Sequence, residues 1–176
     1  DGYTIISINR TAFNNNRKIK SVVVGNVVES IGYDAFGECR ELESVTLGKN
    51  LKSIGMQAFQ YCESLKTISI PGTVETIGLQ AFFACKGLKT VTIGEGVTTL
   101  GTSMFIHCSN LEAILLPASL TTIEDYAFAN CTSLKEITLP PRLEEISGGE
   151  ESNGTESKGM GAFYGCTSLK SVVIPE

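Results

Sequence analysis

The stretch AFQYCESLKTISIP, Ala58 to Pro71, carries two hydrophobic rhythms in fourteen residues. In its first part Ala58, Phe59 and Cys62 stand at offsets that place them on one side of a tight turn, and the spacing predicts a helical or 3₁₀ turn with one buried flank. In its second part Ile68 and Ile70 alternate with Thr67 and Ser69, the period of two of a β-strand. Pro71 then closes the strand, because proline cannot continue a hydrogen-bonded ladder.

Working outward, the same pairing of turn and strand returns along the whole chain. The motif phenylalanines Phe13, Phe36, Phe59, Phe82, Phe105 and Phe128 are 23 residues apart, and Phe163 follows after 35. The long gap is one period plus a 12-residue insertion, GGEESNGTESKG, Gly148 to Gly159. A further apolar pair precedes each Phe in constant phase, as in Leu51 and Ile54 or Val74 and Ile77, with Gly32, Gly55, Gly78 and Gly101 expected to bend the backbone between pair and turn. Each unit therefore reads as strand, corner, short extended piece and turn. A coil of this size cannot bury its own apolar side, so the units must stack on one another. The expectation is a solenoid of about seven coils, residues 1–176 forming a single domain, with strands that make a parallel sheet rising about 4.8 Å per rung.

All six cysteines fall at one repeat position, Cys39, Cys62, Cys85, Cys108, Cys131 and Cys166, with Asn16 at the equivalent place in the first unit. Equivalent side chains in a stack point in parallel, which favours a buried ladder of free thiols over disulfides. Zinc is disfavoured by the lack of closely spaced ligand pairs and by the single histidine, His107.

These features, read through LKSIGMQAFQYCESLKTISIPGTVETIG (Leu51 to Gly78) and its six companions, resemble the BspA-like leucine-rich repeat family of bacterial surface proteins. The resemblance spans the chain. It implies a right-handed α/β-type leucine-rich-repeat arc, secretion or display at the cell surface, and adhesion to a host or other cell-surface protein; it supplies no catalytic residues. The alternatives are a structural spacer that displays another domain, or a glycan-binding accessory module.

Composition narrows the partners. The net charge is -5, with 14 Lys and Arg against 19 Asp and Glu, and the basic residues are scattered. A nucleic-acid binder needs a basic face, so no nucleic-acid partner is expected. No cofactor or metal site is expected either: no glycine-rich phosphate loop follows a strand, and Glu144, Glu145, Glu150 and Glu151 read as a solvated strand edge and a loop.

Two surfaces are candidates for binding. The outward strand positions Ser44, Thr46, Thr67, Ser69, Thr90, Thr92, Leu115, Glu136 and Thr138 form two columns of mostly short hydroxyl side chains. They suit a protein or glycan contact, and equally the ordinary preference of Thr for exposed strands. A second patch comprises Met56, Leu79, Phe83 and Ile106, beside the turns. The acidic insertion reads as a spacer or a recognition loop, and of the sequons at Asn9, Asn130 and Asn153 only the last is well placed for a sugar. Neither end carries a polar cap, which points to a segment of a longer protein or to end-to-end self-association.

Overall fold

The structure is a computed structural model that describes residues 4–148 and 161–175; most of the insertion, Asn153, Glu150 and Glu151 lie outside the described residues. Among the described residues fourteen short strands follow one another: β1 (Ser7–Ile8), β2 (Ser21–Val23), β3 (Ser30–Ile31), β4 (Ser44–Thr46), β5 (Ser53–Ile54), β6 (Thr67–Ile70), β7 (Thr76–Ile77), β8 (Thr90–Ile93), β9 (Thr99–Leu100), β10 (Ala113–Leu115), β11 (Thr122–Ile123), β12 (Glu136–Thr138), β13 (Glu145–Ile146) and β14 (Ser171–Val173). The even-numbered strands form the main column and the odd-numbered ones a second column. Every pairing is parallel between successive coils; Ile54 lies opposite Ile77 and Ile68 opposite Val91, each 23 residues on. The seven strands of a column enclose six complete turns of the solenoid.

The core is a set of aligned rows. Phe36, Phe59, Phe82, Phe105 and Phe128 are all buried, and with Phe13 and Phe163 their rings stack at centroid separations between 5.1 and 5.7 Å, each pair within 15° of parallel. Such offset stacking adds to the burial of a large apolar surface. The cysteines lie alongside as free thiols. Each thiol donates to the Phe carbonyl of the preceding coil, as Cys62 to Phe36 O at 3.3 Å and Cys85 to Phe59 O at 3.1 Å. Asn16, in the first coil, uses its side-chain oxygen to accept from the amides of Lys18 and Ile19.

The turn before each cysteine is not the expected helical or 3₁₀ turn. Alternate amides close β-turns within the coil, as Ala58 N to Gly55 O and Gln60 N to Gln57 O, while those between them reach the next coil, as Gln57 N to Leu79 O and Phe59 N to Ala81 O. A helix would instead return successive amides to carbonyls three or four residues earlier. The alternation needs left-handed residues, and Gln57 (φ 59°), Tyr61 (55°), Gln80 (57°) and Ala84 (53°) supply them, none of them glycine. The apolar spacing is the same in both arrangements, which is why the sequence reads as helical.

Gly32, Gly55 and Gly78, though not Gly101, also allow a close coil-to-coil approach. A Cβ on Gly55 would lie 2.5 Å from the carbonyl carbon of Gly32 in the coil before, and one on Gly78 would strike the Met56 backbone. These positions are glycine because adjacent coils touch there.

The main sheet is not continuous. Its strands pair as β2–β4, β6–β8–β10 and β12–β14, so the ladder is interrupted between β4 and β6 and between β10 and β12. The second column breaks once, between β7 and β9. Only the turn column keeps its inter-coil hydrogen bonds at every junction, from Phe13 N to Ala35 O through to Phe128 N to Ala162 O.

Candidate functional site

The strand pleat turns Ser44, Thr46, Thr67, Ser69, Thr90, Thr92, Leu115, Glu136 and Thr138 outward, and all are exposed. The β6–β8–β10 block brings Thr67, Thr90 and Ala113 into one row and Ser69, Thr92 and Leu115 into the next. Ser44 and Thr46 stand on β4, and Glu136 and Thr138 on β12, each beyond an interruption. Among the described residues, none of these hydroxyls makes a hydrogen bond within the chain, so their donors and acceptors are open to solvent or to a ligand.

The interruption between β10 and β12 is a feature that sequence reading missed. There the sheet opens into a cleft of about 430 Å³. Its floor includes Ile114 and Leu116, half-buried, whereas the corresponding Val91, Ile93, Ile137 and Leu139 are buried. Leu115, 65% exposed, and Pro141 stand at its rim with Glu95 and Glu136. The local cause is partly proline. At the intact β6–β8 junction Gly94 donates its amide to Ile70 O at 2.8 Å, and four residues pair. Pro71 after β6 and Pro140 after β12 occupy the same repeat position with no amide to donate, and both strands are unpaired with the coil before. Pro117 after β10 shortens the pairing with β8 to three residues without breaking it. Proline at the strand end is the available signal, and it is insufficient alone.

The second expected patch divides in two. Met56 and Leu79 are exposed, on successive coils, and Phe83 and Ile106 are half-buried on another such pair. Phe83 meets Tyr61 and His107 edge-on, with ring centroids at 5.1 and 5.7 Å. This row follows from the ladder: Tyr61 N donates to Phe83 O, so a residue one place before Cys in one coil sits beside the residue two places before Cys in the next. Arg40 covers the Tyr61 ring at 5.7 Å and pairs with Glu63 at 3.1 Å, which also meets Lys86 at 3.6 Å. The charges here are matched within the protein.

The thiols offer little nucleophilic chemistry. Burial pushes Cys62, Cys85 and Cys108 well above their ordinary pKa, against the smaller opposing effect of their backbone hydrogen bonds, and raises half-buried Cys166 to about 11. His107 is exposed and packs on Phe83, apart from the buried Cys108 beside it in sequence. Among the described residues no group of three or more His, Cys, Asp or Glu side chains could hold a metal ion. A larger cavity, about 920 Å³, lies against the first coil, where Phe13 and other inward positions face outward from the stack. Its described lining carries no charged side chain.

The family model described as a BspA type leucine rich repeat region matches in six copies, over residues 6–114 and 52–176. No curated protein matches the chain. A leucine-rich repeat protein from Bacteroides ovatus superposes with a TM-score of 0.84 at 34% identity, covering 98% of this chain and 42% of that one. A leucine rich cell surface protein from Faecalibacterium prausnitzii gives 0.78 at 34% identity, with 97% and 43% covered. A leucine-rich repeat protein from Eubacterium ventriosum shares the fold, at 0.73 and 24% identity, with 98% and 44% covered. The chain thus spans less than half the length of these structures. With the repeat matched across almost all of its residues, this chain belongs to the BspA-type leucine-rich repeat family.

Proposed function

We propose that this chain is a recognition module of a bacterial cell-surface protein, and that it works by binding a protein partner through the main sheet rather than by catalysis. The observation that carries the reading is the outward face of the even-numbered strands, where exposed hydroxyls with no internal partner lie on a wall fixed from behind by the Phe and Cys rows. A flat repetitive surface of this kind offers many weak contacts of one geometry. Surface location is supported by the family and by the similarity to the F. prausnitzii cell surface protein.

The test is binding of the 176-residue chain to immobilised host and bacterial surface proteins and to a glycan array. Thr67→Arg and Thr92→Arg should each abolish saturable protein binding while leaving the unfolding transition in place. A ligand displaced by free sugar would favour the glycan reading. No saturable ligand in either panel would favour a spacer.

A further inference from the structure

We infer that the cleft between β10 and β12 is an anchoring subsite for a basic and apolar peptide segment of the partner. Three observations converge there. The first is apolar surface: beside the break Ile114 and Leu116 are half-buried, where Ile68, Ile70, Val91, Ile93, Ile137 and Leu139 at the equivalent places are buried, and Leu115 adds exposed surface. Uncovered core surface at a recognition face is where an aliphatic side chain gains most from leaving water.

The second is charge. The lining includes two carboxylates, Glu95 and Glu136, and no Lys or Arg. Glu95 is held in place, since its two oxygens accept from the amides of Ala118 and Ser119 at 3.0 and 3.3 Å. Glu136, on β12, has no ion pair among the described residues. Two carboxylates in a lining without a basic residue select lysine or arginine and repel an acidic segment.

The third is shape. At about 430 Å³ the cleft has room for one or two side chains, and it lies within the sheet face rather than at an end of the stack. The occupant is therefore an exposed peptide in which aliphatic residues adjoin lysine or arginine: the aliphatic side chain packs on Ile114 and Leu116, and a flanking cation pairs with Glu136 at one end of the cleft or with Glu95 at the other. The inference rests on the sheet being the recognition face, and it adds what that face selects.

The probes are three capped tetrapeptides, Lys-Leu-Leu-Lys, Glu-Leu-Leu-Glu and Lys-Ser-Ser-Lys, titrated into the methyl-labelled 176-residue chain and followed by NMR. The first should shift the methyl signals of Ile114, Leu115 and Leu116 saturably, and the other two should bind roughly tenfold or more weakly. Glu136→Lys should reverse the preference between the first two peptides. Leu115→Ser should weaken the first by roughly tenfold with no change of charge. Both residues are exposed, so the melting temperature should stay put. Equal binding of the basic and acidic peptides, or shifts located elsewhere, overturns the subsite. A protein partner lost on Thr67→Arg but retained by Glu136→Lys and Leu115→Ser overturns it too, and leaves the recognition face standing. The converse pattern keeps the cleft and removes the broad face.

Discussion

The turn column and the main sheet are built from the same seven repeats, yet one runs unbroken through the described stack and the other comes apart twice. In the turn column each junction carries backbone hydrogen bonds, a thiol-to-carbonyl contact and a stacked Phe pair, and the Phe residues between the first and last coils are buried. In the main sheet the junctions differ, from four paired residues at β6–β8 to none at β10–β12. The difference separates two tasks. The spine that holds the coils together repeats its chemistry closely, which leaves the sheet free to vary in sequence and to open locally. A solenoid needs only one continuous column of contacts to stay stacked, because each coil touches only its neighbours.

The largest test of that division is truncation of the spine at two depths. Phe82→Ala removes a ring stacked on both sides and should cost about 3–5 kcal/mol, the range for a large aromatic lost from a packed core. Phe13→Ala removes the same side chain where it is 41% exposed and stacked on one side only, and should cost well under half as much. Urea unfolding of the two variants reads the contrast. Equal losses would show that the spine does not gain from its neighbours.

Next in size is the coil-to-coil contact at glycine. Gly55→Ala would place a methyl group 2.5 Å from the Gly32 backbone, and the coils cannot separate there without stretching the Ser53–Ile54 pairing to Ser30–Ile31. A loss of about 1–3 kcal/mol is expected in the same unfolding measurement. Gly25→Ala, where an added Cβ meets nothing within 4 Å, should be nearly silent and serves as the control.

A third test uses pH. An unfolded cysteine loses its proton around its ordinary pKa of 9.0, while the buried thiols of the spine keep theirs to higher pH and Cys166 to about 11. Unfolding above pH 9 therefore releases protons, and stability falls as pH rises from about 9 toward the folded values; below that window the thiol contribution is constant. Each fully retained proton steepens the fall by about 1.4 kcal/mol per pH unit. Replacing Cys85 and Cys108 with alanine should flatten the slope between pH 9 and 11 relative to the parent. An unchanged slope would mean the thiols are not held protonated by burial.

What the sequence disclosed follows the same line between spine and sheet. The Phe, Ala and Cys rows were legible because stacking copies an inward position once per coil, so a 23-residue spacing is itself a statement of contact. The conformation of Asp34 to Cys39 was not legible: helical turns and tandem β-turns share the spacing of Ala35, Phe36 and Cys39, and the deciding left-handed residues, Asp34 and Glu38, bear ordinary side chains. Outward exposure of Thr67 and Thr92 followed from alternation alone. The cleft did not, since Pro117 and Pro140 present the same local signal, while only the junction before Pro140 opens; the outcome depends on the fit of whole coils.

The smallest expected effect concerns single amides and leaves global stability untouched. On the intact side of β10, Glu112 and Ala113 both donate to Lys89 O, at 2.9 and 3.3 Å. Across the cleft, no carbonyl of β10 or the residue before it accepts from Lys135 or Glu136, their counterparts one coil on. Local protection follows local hydrogen bonding when opening is sub-global, so Lys135 and Glu136 should exchange with solvent deuterium roughly tenfold or more faster than Glu112 and Ala113, with Phe105 and His107 slower than either pair because their amides belong to the turn column. Native-state exchange read by NMR resolves all six positions. The basic peptide, seated in the cleft, should slow Lys135 and Glu136 without altering Phe105 or His107, for it covers the sheet where it is open and leaves the spine as it was. Protection of Lys135 and Glu136 equal to that of Glu112 and Ala113 in the free protein would mean that the sheet closes in solution, and the contrast between an unbroken spine and a divided sheet would then fail at its widest gap.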